Sequence, residues 1–278
     1  MNLRLALEMV SKTDIGRVRA HNEDSLCVDV NAGLVVLADG MGGYNAGEVA
    51  SGIAISVTST EITRCLQSES AAFKPPFGHE DNAVVWLRDN ISKANNSIYH
   101  ASQSQPQYAG MGTTIVAGLF YDNRVAVAHL GDSRMYRLRG EQLVTVTRDH
   151  SLLQEQIDSG LLSIEDARYS KNKNLVTRAV GIDPNVEPEI HVYPVQVGDV
   201  YLFCSDGLND MVSDADIASS LYVKQADLSL AAAHLIKMAN DKGGHDNVSV
   251  VLDKIAADCA VPKSWLKRAM AGIKSLFA

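Results

Sequence analysis

Five places in this chain set an acid where a β-forming run meets a turn. They read "NED" at 22–24, "LVVLADG" at 34–40, "HLGDSR" at 129–134, "CSDG" at 204–207 and "GGHDN" at 243–247. After Asp39, four of the next eight residues are glycine. Singly, Asp-Gly and Asp-Asn are ordinary turn pairs. Five at strand ends ask for another reason. Carboxylates gathered in one place repel one another, so a fold that collects them needs cations. No histidine or cysteine cluster accompanies them, and oxygen-only ligation points to hard divalent ions, Mg²⁺ or Mn²⁺. Glycine directly after the aspartate is expected to let a carbonyl or a water approach the ion. A dinucleotide fingerprint does not fit, because GxGxxG needs a glycine where this chain has Asn45.

The elements that must position these acids follow from apolar patterning. Residues 3–10 and 25–38 read as strands, the second ending in "GLVVLAD" without alternation, as in a strand buried on both faces. Helical spacing runs from Gly47 to about Leu66 and over 83–101, predicting a pair of helices. Short β runs follow at 113–120, 124–130, 134–139 and 142–146, then a helical piece near 151–159. "DVYLFCSD" is a further buried strand, 214–220 and 227–242 are helical, and "NVSVVLDKI" closes as a strand. This is one α+β domain over residues 1–255, with a tail over 256–278.

The chain has 278 residues, 46% of them hydrophobic and 21% charged, with a net charge of −8. Such a balance excludes general nucleic-acid binding. Cys27, Cys65, Cys204 and Cys259 form no CxxC pair, so neither a disulfide framework nor a cysteine zinc site is expected. With no signal peptide and no apolar run long enough to span a bilayer, the expected place is the cytoplasm. The tail places Trp265, Leu266, Met270, Ile273 and Phe277 at helical spacing between basic residues. Two readings of residues 261–278 stand open: docking on a membrane surface or partner protein, or packing on the chain's own domain.

Eight strings in order give a resemblance. "TDIGRVRAHNED", "VLADGMGGYNAGE", "GMGTT", "VAHLGDSRMY", "TRDHS", "LVTRAVG", "LFCSDGLND" and "GGHDNVSVVL", spread over about 240 residues, resemble the metal-dependent serine/threonine protein phosphatases of the PP2C type in their small bacterial form. The resemblance implies a four-layer α-β-β-α sandwich: two packed antiparallel β-sheets flanked by paired helices, with two or three Mn²⁺ or Mg²⁺ ions at one end. It implies that Asp39 bridges two ions, that the Gly40 carbonyl binds one, and that Asp206 and Asp246 complete the first ion's shell. Glu23 would support the second ion and Asp24 order its waters. Asp132 would hold a weaker third ion, and Arg19 would grip the substrate phosphate. The implied reaction is attack of a metal-activated water on phosphoserine or phosphothreonine, in opposition to a cognate kinase. No cysteine is followed six residues later by arginine, so a phosphocysteine route is not suggested.

Two departures stand out. Where the family often carries a histidine after Asp-Gly or Gly-Gly, this chain has Met41 and Tyr44. The general acid is therefore open among Tyr44, His245, His150 and a metal-bound water, with water favoured. A catalytically impaired module that only docks phosphoproteins is the alternative reading, and the intact acidic set argues against it. A phosphatase dedicated to an anti-sigma-antagonist-like partner, or a hydrolase of small phosphate esters, would share the site. The family's substrate flap maps to about 150–175. A monomer is the default.

Overall fold

The computed structural model describes residues 3–43, 46–69, 81–163, 166 and 175–260. Tyr44, the basic "YSKNKN" stretch and the amphipathic tail over 261–278 lie outside the described residues. Apolar strands pair into two antiparallel sheets. One carries β1 (Leu7–Asp14), β11 (Val248–Ile255), β10 (Val200–Cys204), β7 (Arg134–Arg139) and β8 (Gln142–Thr145), in that order. The other carries β2 (Asp24–Asp29), β3 (Leu34–Met41), β5 (Ile115–Tyr121), β6 (Arg124–Leu130) and β9 (Glu189–Pro194), with β4 (Gly112–Thr113) paired to the end of β3.

Helices cover the two outer faces. α1 (Ala46–Glu69) and α2 (Asn82–Ser104) pack Ala50, Ala54, Leu87 and Ile91 against Val36, Ala117 and Ala128 of the second sheet. α5 (Asp214–Lys224) and α6 (Leu228–Asp241) pack Ile217, Leu221 and Leu235 against Val200, Leu202 and Val250 of the first. Between the sheets lie Val35, Leu37, Phe120, Tyr201, Phe203 and Val251. This is the expected four-layer sandwich. α3 (Leu152–Asp158) and a single turn, α4 (Asp206–Asn209), are further helices, and 3₁₀ turns span Leu3–Leu5 and Pro106–Tyr108.

Two expectations change. The apolar stretch 25–38 is not one strand but a hairpin, broken where Asn31 and Ala32 donate backbone N–H to Asp29 Oδ1 and Gly33 takes a φ of 66°. The edge strand Glu189–Pro194 was not expected: it is only half buried and ends in proline. Packed chain also continues past residue 255. Ala256 donates to the Ala6 carbonyl at 2.7 Å, and buried Cys259 donates its N–H to Asn123 Oδ1 at 2.7 Å. Asn123 belongs to the two-residue β5–β6 turn, where Asp122 and Asn123 both take positive φ.

One buried carboxyl works against the fold. Asp253 alternates with Val251 and Ile255 toward the inter-sheet layer, and neither of its oxygens has a hydrogen-bond partner. Burial holds its pKa well above the usual carboxylate range. A raised folded pKa means the stability is fully present below the unfolded value near 4 and is lost as pH rises. Each pH unit above ~4 over which the folded carboxyl keeps its proton costs about 1.4 kcal/mol. We expect Asp253→Asn, compared with the wild type in urea melts with EDTA, to match it near pH 4 and exceed it increasingly toward pH 7. Parallel profiles would rule this out.

Candidate active site

The acids meet at one end of the sandwich, around a cleft of about 380 Å³. Arg19, Glu23, Asp39, Gly40, Asp132, Asp206 and Asp246 line it, together with Met41, Gly42, Thr114, Leu175 and Val176. Seven of the eight residues singled out from sequence thus share one cavity. The exception is Asp24. Strand register sets it directly across from Asp39, and it is buried, with Oδ2 accepting from Ser205 Oγ at 2.8 Å.

Each acid is held by a rigid support. Asp39 stands near the end of β3, where its N–H donates to Thr114 Oγ1 at 3.1 Å. Its carbonyl accepts from Thr114 N–H and Thr113 Oγ1, both at 2.8 Å. Thr114 Oγ1 also lies 2.7 Å from Ser133 Oγ, which ties Asp39's strand to the turn that carries Asp132. Asp206 begins α4, so its carboxylate is placed by the strand-to-helix transition after β10. Asp246 accepts from the Asn247 N–H at 2.8 Å through Oδ1 and from Arg19 Nη2 at 2.6 Å through Oδ2. The Glu23 carboxylate takes a hydrogen bond from Gly47 N–H in the first turn of α1, where the helix dipole favours negative charge.

Burial and crowding dominate the electrostatics. Burial first, and then the charges of Asp24, Asp206, Asp132 and Asp246, hold Asp39 well above the usual carboxylate range. Asp206 is raised in the same way, by burial and then by Asp132, Asp210, Asp246 and Asp24. Asp24 and Asp132 are each pushed up to about 6, chiefly by burial. Asp206 Oδ1 and Asp24 Oδ1 are buried without a hydrogen-bond partner. A pocket of carboxylates with orphaned oxygens fits hard divalent cations, which would offset the repulsion and occupy the free lone pairs.

A second group of donors invites the same reading and does not support it. His129, His150 and Glu189 bring nitrogen and oxygen atoms within 4.8 Å of one another. The two imidazoles, however, stack with planes 8° apart, so their in-plane lone pairs run parallel rather than converging on one ion. Their nitrogens are also engaged. His129 Nε2 lies 2.8 Å from the Arg148 carbonyl, and His150 Nδ1 accepts from Gly131 N–H at 3.2 Å. Burial and the charges of His129 and Arg178 push His150 down to about 4. This is a structural lock. His245 is exposed, and neither it nor His150 lines the cleft.

Sequence reasoning passed over several residues that complete the site. Asp210 follows Asp206 by four positions, and its charge reaches both Asp206 and Asp132. Thr114, Ser205 and Asn247 support the acids from behind. All four stand inside strings already quoted, but nothing in a one-dimensional pattern says which way they face.

Comparison with known proteins agrees with this fold. The family model described as protein phosphatase 2C matches residues 17–240. The serine/threonine phosphatase stp of Listeria monocytogenes is 39% identical over 247 residues, which span 87% of this chain and 93% of that protein. The crystal structure of the Mycobacterium tuberculosis serine/threonine phosphatase PstP/Ppp superposes with a TM-score of 0.81 at 36% identity, covering 91% of this chain and 100% of that one. A structure of the PstP catalytic domain in complex with two manganese ions superposes at 0.77 with 36% identity, over 91% of this chain and 99% of that one. The sequence strings, the four-layer sandwich and these matches together place the chain in the protein phosphatase 2C family.

Proposed function

We propose that this chain hydrolyses phosphoserine and phosphothreonine on proteins, using two or three divalent cations, Mn²⁺ or Mg²⁺. The observation that carries the reading is the cleft itself. Asp39, Asp132, Asp206 and Asp246 converge in it beside one guanidinium, with a buried carboxylate oxygen left unpaired. Asp39, the Gly40 carbonyl, Asp206 and Asp246 would hold the principal cations, with Glu23 and Asp132 serving further positions and Asp24 supporting from behind. Bound cations supply the Lewis acidity that activates water and offsets charge on the phosphoryl oxygens.

The chain's own groups do the rest. Arg19 offers planar paired donors to phosphoryl oxygens, and its hydrogen bond to Asp246 Oδ2 aims the guanidinium across the cleft. Met41, Leu175 and Val176 give the cleft an apolar wall that limits water around the phosphoryl group. Of the candidate proton donors, His150 and His245 do not line the cleft and Tyr44 lies outside the described residues; a water remains our favoured donor to the leaving alkoxide.

Phosphorylated proteins are the proposed substrates, and a serine/threonine kinase is the proposed opponent. No helix among the described residues is long and apolar enough to cross a membrane. Four free thiols fit our placement in the reducing cytoplasm. For residues 261–278 we keep the docking role; unchanged fractionation and activity after their deletion would remove it.

Hydrolysis of a phosphothreonine peptide, titrated with Mn²⁺ and reversed by EDTA, tests the reading. A folded protein that binds Mn²⁺ but releases no phosphate would favour the docking module instead. Faster turnover of a nucleotide than of the peptide would favour small esters.

A further inference from the structure

The loop that carries Arg19 is held at both its departure and its return by one side chain. Asn247, buried beside Asp246, spends its whole amide on that loop. Its Nδ2 donates to the Ile15 carbonyl and to the His21 carbonyl, both at 2.9 Å, and its Oδ1 accepts from the Glu23 N–H at 2.8 Å. Its backbone N–H meanwhile fixes Asp246 Oδ1, leaving Oδ2 for Arg19. The two segments are also knitted by Arg17 N–H, which donates to the Gly244 carbonyl at 2.7 Å. Gly16 presses so closely on the Asp246 carbonyl that a Cβ would not fit.

We propose that Asn247 is a positioning residue for substrate phosphate, acting through Arg19. The inference rests on the reading of Arg19 as the phosphate-binding group. The Arg19 side chain is half exposed, so it cannot be held by packing. Its place is set by the backbone at residues 15–23, which the Asn247 side chain holds, and by the aim of Asp246, which the Asn247 backbone N–H fixes. Few other side chains can substitute. Aspartate lacks the two donors, serine is too short to span three backbone groups, and leucine would leave two carbonyls and one N–H unpaired. A shift of the loop by about 1 Å would take the guanidinium out of register with the phosphoryl oxygens, a displacement that costs on the order of a hundredfold where positioning dominates.

The test is a double-mutant cycle on the full chain at saturating Mn²⁺. KM for a phosphothreonine peptide, kcat, and inhibition by inorganic phosphate are measured for Asn247→Ala, Arg19→Ala and the pair. Asn247→Ala is expected to raise KM and the phosphate inhibition constant together by about tenfold, with a smaller change in kcat. Added to Arg19→Ala it should change either constant by less than about twofold, because the group it positions is already gone. Asn247→Ser, whose hydroxyl can serve at most one of the three backbone groups, should recover no more than part of the phosphate affinity, and it carries the cycle if the alanine variant does not fold. Additive losses, or a fall in kcat at unchanged KM and phosphate affinity, would overturn the inference. If Arg19→Ala itself leaves phosphate inhibition unchanged, the arginine has been misassigned and the inference falls with it.

Discussion

Replacing Asp39 with asparagine is expected to abolish phosphopeptide hydrolysis while leaving the metal-free protein at least as stable as the wild type. Asparagine has nearly the same shape, and the bonds that hold this position come from the backbone and the two threonines, not from the carboxylate. The lost charge is one its surroundings oppose, since Asp24, Asp206, Asp132 and Asp246 all raise the Asp39 pKa on top of burial. A raised folded pKa favours the protonated acid. In the metal-free protein the group therefore costs stability as pH climbs above its unfolded value. The amide removes that cost. At pH 7.5 in EDTA the variant's melting temperature should equal the wild type's or exceed it by about 2–4 °C for each kcal/mol relieved. Activity should fall on the order of a thousandfold, about 4 kcal/mol of transition-state stabilisation. The Mn²⁺-induced rise in melting temperature should shrink or vanish. Calorimetry with and without Mn²⁺, beside peptide kinetics, reads all three. A variant that is destabilised without metal would show Asp39 to be a structural residue first.

The sequence made the acids visible for a physical reason: each lies where an apolar strand must stop, and an ionisable group there stands out from its neighbours. Pattern could not show which of two adjacent acids faces the cleft. Glu23 and Asp24 follow one another, and only in the folded chain does Glu23 line the cleft while Asp24, paired with Asp39, is buried against Ser205. Asp210 was hidden because it joins Asp206 only once residues 206–209 coil into a turn of helix. Asn247 looked like half of a common Asp-Asn turn. Its role depends on partners more than 220 positions away, at Ile15, His21 and Glu23. The hairpin inside 25–38 was missed because both halves are apolar, and the turn signal, an Asp29 side chain capping its own chain, is short.

The glycines next to the aspartates are needed for close packing as well, apart from the approach of a carbonyl or water that the spacing suggests. Gly40 does not leave an open space for an ion on its Cβ side. A methyl there would collide with the Gly47 carbonyl and stand 2.7 Å from the Glu23 carbonyl oxygen, both of them backbone atoms. Gly47 answers from the other side, where a methyl would lie 2.8 Å from Glu23 Oε1. Gly207 is excluded by the Asn247 carbonyl in the same way. Gly40 and Gly47 let the first turn of α1 dock against the end of β3 closely enough for Gly47 N–H to reach the Glu23 carboxylate.

It follows that Gly40→Ala should be among the most damaging single changes in the chain. No flexible side chain can yield, so β3 and α1 must separate, moving the Asp39 support and Glu23 together. A loss of about 2–4 kcal/mol in stability is expected from such overpacking, with activity down at least about a hundredfold through misplacement. Gly43, three residues on, is the control. No described residue lies within 4 Å of a Cβ there, and its backbone does not take the left-handed conformation. Gly43→Ala should keep stability within about 0.5 kcal/mol and activity within about twofold. Urea melts and Mn²⁺-dependent peptide kinetics on the two variants compare a glycine needed for close approach with one that is not. Equal damage from both would mean that the loop needs flexibility rather than space, and equal tolerance would mean that α1 can shift without disturbing the acids.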